Sequence, residues 1–273
     1  MPSKKFFPYR GDSITLAATV AFATIRGKPP WANYLELEAA SATLEAITVA
    51  FGPKIEKIFV YDASLASGNR WQDITKALTD RNTGTDSGGT LNALQTGDRI
   101  YVACRRQFRG LSVDVVLTNG AGTAALVGEY PNAVRTFTDL SITDGTRNTA
   151  SLDQDGLITW TMPTDWAKHT LQEVTKGLVD GDDAPATDKL FWMRLRTDTA
   201  FTDTSVSVAE INALLNTDVA GVTPEAEGFD LVRIASGNKA PYKFMLHEDI
   251  GCIELVSASI TSAALANWYR VEE

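Results

Sequence analysis

The stretch 153-DQDGLITWTMPTDW-166 sets two acid-rich turn signals around a short run that carries two tryptophans. Ile158, Trp160 and Met162 share one parity while Thr159 and Thr161 share the other, the period-2 alternation of a half-buried strand, with Trp160 facing the core. Asp155-Gly156 is a pair favoured where a hairpin needs positive φ. Pro163-Thr164-Asp165 suits a tight turn in which the Asp side chain bonds its own backbone. A glycoside-cleaving reading needs two carboxylates about 5–10 Å apart, one held protonated. Turn geometry already accounts for Asp153, Asp155 and Asp165, so no catalytic residue is assigned. Trp166, placed in the turn, is the tryptophan expected to present its ring to solvent, as a surface or glycan contact.

Outward from this segment, most of the chain alternates strands rich in Thr, Val, Ile and aromatics with clusters of Gly, Asp, Asn and Ser. In "KIEKIFVYDAS" (54–64) the unbroken apolar run Ile58 to Tyr61 predicts a strand buried on both faces. "NRWQDITKAL" (69–78) reads as helical or extended, and 79–97 as an exposed loop. "DRIYVACRRQF", "GLSVDVVLTN", "AALVGEY", "TFTDLSIT" and "KLFWMRLRTD" follow as strands, and "FDLVRIAS" and "CIELVSASI" continue the β pattern. Ser207 with Glu210 forms an S-x-x-E capping box that predicts a helix bearing Ile211, Leu214 and Leu215, and "SAALANWY" (262–269) suggests another. The expected fold is mainly all-β: an antiparallel β-sandwich or jelly-roll-like central domain at 55–200, flanked by a β segment at 1–54 and an α+β segment at 201–273, with one or two short helices.

Composition narrows the function classes. A net charge of −9 argues against a broad grip on nucleic acid or an anionic membrane. Cys104 and Cys252 belong to no CxxC; they read as buried strand thiols, with one long-range disulfide as the alternative. With only His169 and His247 a transition-metal site is poorly supplied, and "DQDG" and "DGDD" do not complete a calcium loop, so no metal is assigned. Gly120-x-Gly122-x-x-Ala125 matches a dinucleotide fingerprint, but Gly128 and Pro131 leave little room for the required helix; it reads as a loop, and no cofactor is assigned. No G-x-S-x-G elbow occurs, and His169 reads as a surface residue. Lys4 and Lys5 precede "ITLAATVAFA" (14–23), which resembles a signal peptide, yet Asp12 and the shared parity of Ile14, Leu16, Ala18, Val20 and Phe22 favour a strand. No stretch approaches a membrane span.

The order of segments resembles β-sandwich modules in structural proteins of tailed bacteriophages. The resemblance rests on Gly97-Asp98 with Ile100-Tyr101, Phe108 to Gly110, Glu129-Tyr130, Asp155 to Trp166, and Trp192 to Arg196. It covers roughly 55–200 and departs at Pro131-Asn132-Ala133 and in the longer loop from Asp180 to Asp188. It implies a non-enzymatic virion protein, assembled in the bacterial cytoplasm: a capsid decoration or cement protein bound to the major capsid protein or other virion proteins. A tail or baseplate component is the alternative, and a glycan-binding module using Trp166 another. A homo-oligomer, with a trimer as one form, is expected to cover the many exposed edges that a multi-strand chain leaves. Lys4, Lys5, Phe6, Phe7, Tyr9 and Arg10 would form an arm docking onto a larger particle.

Overall fold

A computed structural model describes residues 5–8, 12–15, 24–29, 31–39, 47–79, 91, 94–120, 122–178, 181, 183–202, 206–215, 232–234, 241–257 and 263–272. In chain order the first strands are β1 (Lys5–Pro8), β2 (Asp12–Thr15), β3 (Thr24–Gly27), β4 (Tyr34–Ala39), β5 (Ile47–Pro53), β6 (Ile55–Tyr61) and β7 (Trp71–Asp73). Helix α1 (Thr75–Thr79) precedes β8 (Arg99–Cys104), β9 (Gly110–Leu117), β10 (Leu126–Pro131), β11 (Phe137–Asp139), β12 (Thr143–Asp144) and β13 (Gly156–Thr159). After α2 (Leu171–Thr175) come β14 (Phe191–Thr197), β15 (Ser207–Leu214), β16 (Val232–Ile234), β17 (Tyr242–Met245), β18 (Ile250–Ser257) and β19 (Ala263–Glu272). The molecule is mainly β, and the strand pairs are antiparallel.

The chain divides into a central unit, Pro53–Leu215, and a terminal unit that joins Met1–Gly52 to Asn216–Glu273. Three consecutive segments were expected; instead the two ends of the chain build one body. The last boundary moves because 207–214 is not a helix. It is strand β15, paired with β9 through Ile211↔Val113 and Ala213↔Leu111. Val208, Ile211 and Ala213 are buried in the core, and a register shift between Val208 and Glu210 lets an irregular apolar spacing satisfy a strand. Sheet pairing thus overrides the capping-box signal of Ser207 and Glu210. Residues 263–272 are likewise strand, so 263–269 of the expected second helix is extended; Ser262 lies outside the described residues.

The central unit is sandwich-like. A six-stranded sheet, β11-β10-β14-β8-β6-β7, shares one core with a four-stranded sheet, β12-β13-β9-β15. Ile58, Val60, Val102, Met193 and Leu195 from the first meet Leu111, Val113, Ile158 and Ile211 from the second. The opposite face of the larger sheet carries a second cluster, in which Phe59, Tyr61, Tyr101 and Trp192 pack with Leu171 and Val174 of α2. That is the physical basis of the continuous run at 58–61: alternate residues fill two separate cores. Part of the expected loop at 79–97 also belongs to the core. Leu91 and Leu94 are buried, and Leu91 N–H donates to the Val206 carbonyl.

In the terminal unit, β1-β19-β4-β17, with β2 also on β19, forms one sheet and β16-β5-β18-β3 another. Leu35, Leu37, Ala266 and Trp268 share a core with Val49, Phe51, Ile253 and Leu255. Cys104 and Cys252 are buried and form no disulfide. Burial pushes the Cys104 thiol well above its ordinary range, with Glu56 adding to the shift, which leaves it a poor nucleophile.

Two carboxylates tie local turns to the sheets. Asp198 accepts from Ala125 N–H at 2.8 Å, and that bond lowers its pKa despite partial desolvation. Asp73 accepts from Thr75 N–H at 3.0 Å ahead of α1; burial raises its pKa, but Lys57 and Thr75 outweigh this and the net shift is downward. Because both are depressed on folding, their stabilisation is complete above the ordinary carboxylate pKa near 4 and is lost as pH falls through the lower folded values. Each exposed group is expected to contribute less than about 1 kcal/mol. Urea midpoints of Asp198→Asn and Asp73→Asn should therefore fall less steeply than the native protein's as pH drops below about 4. Superimposable acid limbs would refute this.

Candidate functional site

The Asp-rich stretch is built from the β12–β13 connection upward. The Asp144 carboxylate accepts from Thr146 N–H at 2.9 Å and from Thr146 Oγ1–H at 2.6 Å, and it also takes the Ser151 hydroxyl. Thr146 Oγ1 in turn accepts from Leu152 N–H. Asp153 accepts from the Thr149 hydroxyl, and Asp155 holds Val115 N–H of β9 at 2.8 Å. Of the acids of "DQDG", Asp153 thus serves as an acceptor within its own turn and Asp155 as an acceptor for the neighbouring strand β9. Asp165 accepts from the Tyr130 hydroxyl at 2.7 Å, and this bond, with desolvation, raises the Tyr130 phenol above its ordinary pKa. Gly145 and Gly156 do not have positive φ; among the described residues, the glycines that do are Gly68, Gly122 and Gly177. The two glycines are needed because their backbones lie against each other, not because of a left-handed turn.

Trp166 is not a solvent-facing platform. It is only 4% exposed. Its ring lies among Phe108 (5.2 Å between centroids), Tyr130 (5.9 Å), Phe191 (6.0 Å) and Trp160 (6.5 Å). Its Nε1–H donates to the Trp192 carbonyl at 2.9 Å, while Trp192 Nε1–H donates to the His169 carbonyl at 2.8 Å. The expected turn at 163–166 is present in the backbone, but a bridge between Trp166 and Asn132 turns the indole inward. With both ring faces covered, stacking against a sugar is excluded for this residue in the folded chain. His169 is buried rather than superficial, and its Nε2 lies 3.0 Å from the Asn132 carbonyl, so Nε2 carries the proton.

The other expected site residues are placed apart from this cluster. Lys5, Phe6 and Phe7 belong to β1, paired with Glu272, Val271 and Arg270 of β19. They are part of a sheet rather than a separate arm. Lys4, Tyr9 and Arg10 lie outside the described residues, as do 16–23 of the signal-like run. Gly120 to Ala125 leads into strand β10, not a helix. Among the described residues, no group of three or more His, Cys, Asp or Glu is arranged to hold a metal ion. No helix among them is long and apolar enough to cross a membrane.

A second cluster of aromatic and charged side chains lies elsewhere in the central unit. On the face of the six-stranded sheet that carries the second core cluster, half-buried Trp71 and Phe137 lean from the two edge strands over buried Tyr101, with ring centroids at 5.2 and 6.2 Å. Arg194 stacks 3.6 Å from the Phe137 centroid and pairs with Glu129 at 2.8 Å. Desolvation would lower the Arg194 pKa, but Tyr101 and Glu129 outweigh it and hold the charge. Arg196 shares the same carboxylate at 3.4 Å. The sequence does carry this signal: in "FWMRLR" Arg194 and Arg196 keep step with Trp192, so all three occupy one face. Comparison with protein-family models, curated proteins and solved structures gave no match.

Proposed function

We propose that this chain is a non-enzymatic structural protein of a tailed-bacteriophage virion, acting as a decoration or cement protein on the outer surface of the head. The observation that carries the reading is the use of the distinctive 153–166 segment as architecture. Its acids brace a turn, strand β9 and the Tyr130 hydroxyl, and both its tryptophans belong to one core. The same residues carry the resemblance to phage sandwich modules, whose motifs are positions of packing. A sandwich-like unit whose distinctive acids and tryptophans serve packing suits a protein that works by covering and bridging neighbours. Association with the major capsid protein would stabilise the shell by burying surface across subunit boundaries.

Antibody labelling of purified virions is the direct test. Label spread over the head is the expected result. Label confined to the tail would assign the protein to the tail or baseplate instead, and absence from purified particles would overturn the virion reading. Lys5–Phe7 sits within a sheet, so truncation of residues 1–12 removes strand pairing as well as any docking contact. Charge changes on outward faces are therefore the cleaner probes of particle binding.

A further inference from the structure

We propose that β19 is a strap that closes the terminal unit, and that this unit opens and recloses as one cooperative body while the central unit stays folded. The inference does not rest on the virion reading. β19 is an interior strand of its sheet: β4 pairs along one edge, and β1 and β2 pair along the other. Among the described residues β1 and β2 pair with no other strand. Withdrawing β19 therefore leaves β1 and β2 without a sheet and bares an inner edge of β4. It also takes Ala266 and Trp268 out of the core that they share with Leu35, Leu37, Val49 and Ile253. Trp268 is the largest side chain of that core and is only 1% exposed, so its departure opens a cavity there.

The two parts of the terminal unit, Met1–Gly52 and Asn216–Glu273, are separated by the whole of Pro53–Leu215. The entropic cost of closing a loop grows with the logarithm of its length, and β1 has to find β19 across almost the entire chain. Folding of the central unit shortens that search. Ile55 is level with Cys104, Leu214 is level with Gly110, and only the turn 105–109 separates Cys104 from Gly110. The chain therefore enters and leaves the central unit at one end of its sandwich, and the strap closes a much shorter effective loop. Among the described residues the central cores draw on nothing outside 53–215, so they form before β19 is in place. The core of the terminal unit is also smaller than the main core of the central unit, and a body with less buried apolar surface opens at lower cost.

The test is hydrogen exchange of the full-length native protein along a urea series. Amides of β1, β2, β4 and β19 are expected to lose protection together, at a urea concentration where 58–60, 101–103 and 192–195 of the central unit remain protected. Pulse labelling during refolding should protect those central segments before 35–37 and 266–268. Trp268→Ala should raise exchange rates in β4, β18 and β19 about 100-fold and leave the central strands within about threefold of their native rates. If that variant leaves the terminal unit open altogether, unchanged protection of the central strands supports the proposal equally. Separate loss of protection in β4 and β19, exchange of terminal and central strands in a single step, or terminal segments protected first on refolding would each overturn it.

Discussion

Trp166→Ala is expected to destabilise the central unit by about 4 kcal/mol, lowering its melting temperature by roughly 10 °C. Trp166 touches four aromatic rings, and its removal opens a cavity that Phe108, Tyr130, Trp160 and Phe191 cannot fill without leaving their own contacts. The Trp192 carbonyl simultaneously loses the indole N–H that satisfies it. The large cavity term and the smaller hydrogen-bond term separate in a second variant. Trp166→Phe keeps most of the ring volume but leaves the carbonyl without its donor, for a loss of about 1–3 kcal/mol. Thermal unfolding followed by tryptophan fluorescence reads both, because Trp71, Trp160, Trp166 and Trp192 all lie in the central unit. A melting temperature unchanged in Trp166→Ala would mean that the indole is outside the core.

The contrast between Trp160 and Trp166 shows what local sequence carries. Trp160 follows directly on strand β13, whose period-2 parity points it at the core, and its Nε1–H donates to the Phe108 carbonyl. Trp166 sits in a turn, where parity has no meaning. Its direction is set by Asn132 and Trp192, which are distant in sequence. Ser207 and Glu210 fail for a related reason. A capping box is a local preference of order 1 kcal/mol, while burying Val208, Ile211 and Ala213 against β9 is worth several. The union of the chain ends was illegible because β19 pairs with β1, β2 and β4, contacts that leave no local trace. Residues 58–61, by contrast, announced their two cores through composition alone. The aromatic and guanidinium face lay between these cases: its alternation is visible in "FWMRLR", but its meaning depends on Trp71 and Phe137 arriving from separate edge strands.

Gly156→Ala should cost about 3 kcal/mol, at the upper end of what overpacking imposes, and lower the melting temperature of the central unit by nearly as much as loss of the Trp166 ring. A Cβ at Gly156 would stand 2.3 Å from the Gly145 carbonyl oxygen and 2.7 Å from Thr146 N, both backbone atoms that cannot swing aside. Gly145 has the same problem in return, since its Cβ would lie 2.7 Å from the Leu157 carbonyl oxygen. Separating the two segments breaks the Gly145 N–H bond to the Leu157 carbonyl and drags Thr146 away from the Asp144 carboxylate. It also draws Asp155 from Val115 N–H, so one methyl group disturbs the turn and the β9 pairing together. Gly177→Ala is the matched comparison. Its φ of +79° strains any L side chain, but nothing lies within 4 Å of the added carbon. Backbone strain alone should then cost about 1–2 kcal/mol. If Gly156→Ala proved no more damaging than Gly177→Ala in parallel urea titrations, close backbone approach would not be what demands glycine here. The Asp144 to Asp155 turn would then have room for a side chain that its geometry denies.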